Sequence, residues 1–163
     1  AVFVRAYAQQ YQRIQPRFEA AYARLAPFEL RLVEYGRRAA EGRSPLSRGD
    51  LVRFRAEISP AIAEMRSVIP FYRQTFFRLS ELTEYVRAEG LARNERIGNA
   101  TASEFFGDFS RNLLKQRERI AKVEYWFKLY TALSQGSGND PFGGESLMDD
   151  FFAPGESSLL EEF

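Results

Sequence analysis

Apolar residues recur through most of this chain in alternating steps of four and three, and no other feature constrains the fold as tightly. The first run is Tyr7, Tyr11, Ile14, Phe18, Ala21, Leu25, Phe28, Leu32, Tyr35 and Ala39. The second is Leu51, Phe54, Ile58, Ala61, Met65, Val68, Tyr72, Thr75, Leu79, Leu82 and Val86. The third is Phe106, Phe109, Leu113, Gln116, Ile120, Val123, Phe127 and Tyr130. Residues at these steps line one stripe of an α-helix, because side chains three and four apart share a face. The rhythm predicts an all-α chain: an elongated, antiparallel three-helix bundle, up-down-up and coiled-coil-like, with an extended acidic C-terminal tail.

Punctuation between the runs sets the expected boundaries. The first helix should cover about 2 to 41, kinked at Pro16 and Pro27, with a break at Pro27 as the alternative. Residues 42–50 form a connector: Gly42 suits a helix end, and Ser44-Pro45 or Ser47 with Asp50 suits a new start. The second helix should end near Gly90, and Ile69-Pro70 is the place where it should break. Thr101 and Glu104 match a capping box, so a third helix starts there after a connector holding Gly98-Asn99. Gln116 falls on a core-type position, where a buried amide can fix register; exposure is the alternative. Three thin stripes give little core per residue, which favours self-association into a larger bundle.

After Gln135 the rhythm stops, so residues 1–135 read as the bundle domain and 136–163 as a Gly/Ser hinge plus tail. The chain has 23 basic and 22 acidic residues. Seven acids and no base lie in 136–163, so the first 135 residues carry 23 minus 15, or +8. Such asymmetry between segments points to interaction. Within the tail, apolar clusters alternate with acids: Phe142; Leu147 and Met148, then Asp149, Asp150, Phe151 and Phe152; Leu159, Leu160 and Phe163. That alternation suits a docking peptide. Gly136-Ser137-Gly138 would equally suit a joint tethering a partner's peptide to its receptor. Asp140-Pro141-Phe142 and the Asp149–Phe152 cluster resemble short motifs used by vesicle-coat adaptors, too short to assign a family.

An antiparallel three-rod layout returns the end of the third helix to the first connector. The peptide-receiving surface is therefore expected from Arg37, Arg38, Arg43, Arg48, Arg53 and Arg55, with an exposed strip of Trp126, Leu129 and Leu133 beside them. The alternative is that the strip completes the core.

Chemistry is narrowed most by what is missing: the chain has no His and no Cys. That removes imidazole bases, thiolate nucleophiles, disulfides and the ligands of most structural metal sites. A carboxylate-bridged di-metal bundle normally needs a Glu-x-x-His motif. Glu81 and Glu84, and the pair Asp149 and Asp150, read as solvated carboxylates rather than an acid–base pair. Lys115, Lys122 and Lys128 fall on exposed-type positions, which argues against a desolvated Lys base. Arg48-Gly49-Asp50 reads as turn and cap rather than an adhesion tripeptide, and Asn99-Ala100-Thr101 as a cap rather than a glycan acceptor. No catalytic residue, metal or cofactor is expected.

The expected function is a non-catalytic scaffold or adaptor that binds an acidic, Phe-rich linear peptide: its own tail, a neighbour's, or a tethered partner's. Two alternatives are a membrane-anchored sensory bundle, and a basic nucleic-acid or membrane-surface binder whose acidic tail is autoinhibitory. Interleaved Glu34, Glu41, Asp50 and Glu57 dilute the basic group, so nucleic acid and membrane are disfavoured. The chain opens on Ala1 inside a patterned segment, which suggests trimming and leaves an upstream anchor open. A cytoplasmic location is favoured, with the soluble part of an anchored protein as the alternative.

Overall fold

The computed structural model describes residues 2–42, 47–89 and 95–135. They form an all-α protein apart from one two-residue strand pair. Helix α1 (Val2–Leu25) leads through a 3-10 turn (Ala26–Phe28) into α2 (Glu29–Ala40). Helix α3 (Arg48–Glu89) follows, then β1 (Arg96–Ile97), β2 (Ala100–Thr101), α4 (Ala102–Arg111) and α5 (Leu113–Gln135).

Every described member of the three apolar runs is buried or half-buried. The prolines divide into two cases. At Pro27 the helix tightens into the 3-10 turn, so the break, not the continuous kinked helix, is what forms. Helix α3 instead runs unbroken through Pro60 and Pro70, contrary to the break expected at Ile69-Pro70. A helical proline costs about 3 kcal/mol. Ile69, Tyr72 and Phe76 are each 0% exposed around Pro70. Burying a side chain of that size returns roughly 1.5–3 kcal/mol. Three of them outweigh the proline, and they are buried only if the helix keeps its phase. At 42 residues and about 1.5 Å per residue, α3 spans roughly 63 Å.

Helix starts follow the expected caps. The Ser47 hydroxyl accepts from the Asp50 amide at 3.2 Å at the start of α3. Thr101 and Glu104 form a complete reciprocal capping box on α4. Two features of the second connector and third helix have no periodic signature. A hairpin pairs Arg96 with Thr101 and Ile97 with Ala100. Its turn needs Gly98, at φ 63°, since a two-residue hairpin loop of this kind requires positive φ. Asn112 then separates α4 from α5, where the sequence suggested one helix.

Residue pairings fix the relative directions. Tyr11 meets Tyr72, Arg24 meets Glu64 and Arg31 meets Glu57, so α3 runs against α1 and α2. Glu19 meets Arg119 and Gly36 meets Leu129, so α5 runs with them. Ser59 meets Tyr130 and Arg73 meets Glu124, so α3 and α5 are antiparallel. One apolar core, with Phe18, Leu25, Leu32, Ile58, Met65, Leu79, Val123 and Trp126 among its most buried members, joins all of these elements.

Candidate functional site

The start of α3 and the ends of α2 and α5 share one tip of the molecule. Tyr35 contacts Phe54 edge-on there, with ring centres 5.1 Å apart. Arg37 and Arg38 are exposed on α2, Arg48 and Arg53 on the first turns of α3, and Arg55 is half-buried. Arg38 pairs with Glu34 at 3.2 Å and Arg53 with Asp50. The Ser47 hydroxyl, with Arg53 next, holds the Asp50 carboxyl below its ordinary range. Arg37 and Arg48 have no ion-pair partner among the described residues. Arg43 and the expected peptide residues Phe142, Leu147, Met148, Asp149, Asp150, Phe151, Phe152, Leu159, Leu160 and Phe163 lie outside the described residues.

The exposed strip of Trp126, Leu129 and Leu133 does not exist. Their exposures are 1%, 1% and 2%, so they belong to the core. The cause is a close approach of α2 to α5. A Cβ on Gly36 would sit 2.6 Å from Leu129 Cδ2 and 2.8 Å from its Cβ. A glycine at this point lets the backbones close on each other and seals the second stripe of α5. The Trp126 indole N–H donates to a Glu29 carboxylate oxygen at 3.1 Å, which satisfies the one polar atom of that ring.

What this tip offers instead lies on the outer face of α2. Leu30 is 83% exposed. With half-buried Val33 one turn on, and with Glu34, Arg37, Arg38 and Glu41, it lines an open groove of about 500 Å³. The sequence placed the arginines but missed Leu30 and Val33, which fall off the stripe.

A second site lies towards the other end, in a cleft of about 390 Å³ between α1, the hairpin, α4 and α5. A directed hydrogen-bond chain underlies it. Tyr72 donates to Gln116 Oε1 at 3.0 Å. Its single proton being spent, the 3.4 Å contact between the two tyrosine oxygens requires Tyr11 to donate to Tyr72. Gln116 Nε2 donates to Glu19 Oε1 at 3.2 Å, and Gln15 donates to the same oxygen at 2.9 Å. Arg119 pairs with the other carboxylate oxygen. Burial raises both phenols above their ordinary value of 10.0, Tyr72 the more strongly. Gln116, at 4% exposure, is thus buried, which decides between the two outcomes its core-type position left open. Its partner Tyr72, and Tyr11 beyond it, lie on the apolar stripes, whereas its other partner, Glu19, carries no periodic signal.

Acid–base or metal chemistry gains no support from either place. The Glu19 carboxylate is saturated by three donors. No group of three or more His, Cys, Asp or Glu suited to a metal occurs among the described residues. Lys115, Lys122 and Lys128 are all exposed. No described helix is long and apolar enough to cross a membrane. No family model matches the chain, and no curated protein or solved structure matches it.

Proposed function

We propose that this chain is a non-catalytic scaffold, an up-down-up bundle of three helical rods whose one tip receives an acidic, Phe-rich peptide. The observation carrying this reading is the outer face of α2. An exposed Leu30 and half-buried Val33 stand beside Arg37 and Arg38 at the tip where α5 ends. Residues 139–163 continue from that end of α5 and have the complementary composition.

Magnitudes decide which residues matter. Burying a Phe ring contributes roughly 1.5–3 kcal/mol. An exposed Arg–carboxylate contact adds about 0–1 kcal/mol. Phe151 and Phe152 would therefore supply most of the affinity, and Asp149 and Asp150 the orientation and approach rate. A short linker such as Gly136-Ser137-Gly138 would hold a tethered segment at an effective concentration of the order of millimolar. Even a contact that is weak between separate molecules would then be substantially occupied within one chain.

Backbone amide spectra of the full chain test the reading. Replacing Phe151 and Phe152 by Ala together should shift the signals of Leu30, Val33, Arg37 and Arg38, and free 139–163 peptide should reverse part of that shift at low salt. Identical spectra in α2 for the parent and the double variant would end the proposal. Dependence of the shift on protein concentration would assign the peptide to a neighbouring copy.

A further inference from the structure

The cleft between α1 and α4–α5 carries an inference separate from the tip. Gln116 and Leu133 are 17 positions apart on α5, about 25 Å along a helix. Three of its lining amides are only partly used. Gln12 Nε2 donates to the Ile97 carbonyl at 2.8 Å, Gln15 Nε2 to Glu19 at 2.9 Å, and Asn112 Nδ2 to the Asp108 carbonyl at 2.9 Å. Each amide has one oxygen acceptor and two N–H donors. Among the described residues, each of the three therefore keeps its oxygen and one N–H unspent.

The charges around the cleft are mostly spent already. Arg119 neutralises Glu19, and Arg111 pairs with Asp108. Only Lys115 stands without an ion pair among the described residues. Apolar surface comes from Tyr11, Phe105 and Phe109, whose rings pack edge-on with centres 6.1 and 5.2 Å from that of Tyr11. The Tyr11 proton is committed to Tyr72, so Tyr11 gives the cleft its ring and no donor. The size, about 390 Å³, falls at the lower end of the usual range for small-molecule sites. The hydrogen-bond chain beneath holds the floor in place before any ligand arrives, which lowers the ordering cost of binding.

The geometry points to a binding site for a small, uncharged, polyhydroxylated ring, a monosaccharide or cyclic polyol. A hydroxyl both donates and accepts, and so matches an amide with one oxygen and one N–H left over. A carboxylate would use Lys115 but leave the amide oxygens unpaired. An ammonium would face Lys115 while both nearby carboxylates are already held.

The full chain can be titrated with glucose, galactose, N-acetylglucosamine and myo-inositol as probes, with benzoate and phenethylamine as charged rings. Side-chain amide signals of Gln12, Gln15 and Asn112 report the site. At least one neutral probe should produce saturating shifts there. Asn112→Ala and Gln15→Ala should each weaken it about tenfold, or about 1.4 kcal/mol. Lys115→Ala should leave it unchanged. Circular dichroism of each variant separates lost binding from lost folding, and Asn112 is exposed enough to be replaced without disturbing the core. Absence of saturation with every neutral probe, or tighter binding of benzoate that Lys115→Ala abolishes, would overturn the assignment. Neither result bears on the α2 groove, whose reporters lie on another helix.

Discussion

Helix α5 is held to the rest of the molecule in two different ways. Near its C-terminal end it meets α2 across Gly36, where Leu129 fills the space a side chain would need. Near its N-terminal end it meets α1 and α3 through Gln116, which bonds to Tyr72 and Glu19. The first contact depends on shape and the second on the pairing of buried polar groups. A shape-dependent contact fails when volume is added. A polar contact fails when one partner is removed, and tolerates removal of both.

The largest expected effect tests the shape contact. Gly36→Val should destabilise the protein by about 3 kcal/mol, because the nearest atoms include the Leu129 Cβ, which cannot swing aside. Leu129→Ala alone should cost about 2–5 kcal/mol through the cavity it leaves. The two together should cost less than their sum, since losing the Leu129 Cγ and Cδ atoms relieves the 2.6 Å contact with Cδ2, while the 2.8 Å contact with Cβ remains. Denaturant unfolding of the four proteins measures this. Strict additivity would mean that α2 and α5 do not meet as closely as Gly36 implies.

The polar layer should behave in the opposite way. Gln116→Leu removes the acceptor of the Tyr72 proton inside the core and should cost about 1–3 kcal/mol. Tyr72→Phe strands Gln116 Oε1 instead, at a similar cost. Combining them removes both members of the pair, and the double variant should recover about 1 kcal/mol or more relative to the sum. If the single changes are neutral, the layer is wet enough for water to replace either partner, and the contrast between the two ends of α5 disappears.

This contrast also explains what could be seen in the sequence. The stripe positions were legible because burial repeats with the helical period; Ile14, Phe18, Ile58, Met65, Ile120 and Val123 all sit where the rhythm put them. Capping was legible too, because Thr101 and Glu104 act within one turn. Features that depend on a partner from elsewhere in the chain were not. Whether Trp126 and Leu129 lie in the core or on the surface depends on how near α2 comes, and that is set by Gly36, a residue with no apolar signal. The Glu19–Gln116–Tyr72 chain joins three helices, so no local spacing reveals it. A hairpin of two-residue strands is too short to show any period. Ile69-Pro70 misled for the converse reason: a local preference lost to burial on both sides.

Alkaline titration is the mildest probe of the difference. Burial is the leading cause that raises the Tyr72 phenol above its ordinary value of 10.0. The folded protein therefore keeps Tyr72 protonated when an unfolded chain would begin to ionise it. A pKa raised on folding contributes stability that is complete below pH 10.0 and is lost as pH climbs past it. Each further pH unit should remove about 1.4 kcal/mol for this group. Tyr72→Phe should flatten that part of the curve without affecting the slope from other groups. Amide exchange followed between pH 10 and 11 localises the effect. Protection should fall first around Tyr11, Tyr72 and Gln116, while α2 and the facing turns of α5 near Leu129 hold. Simultaneous loss at both ends, or an unchanged slope in Tyr72→Phe, would show that the buried phenol does not set the alkaline limit of the polar layer.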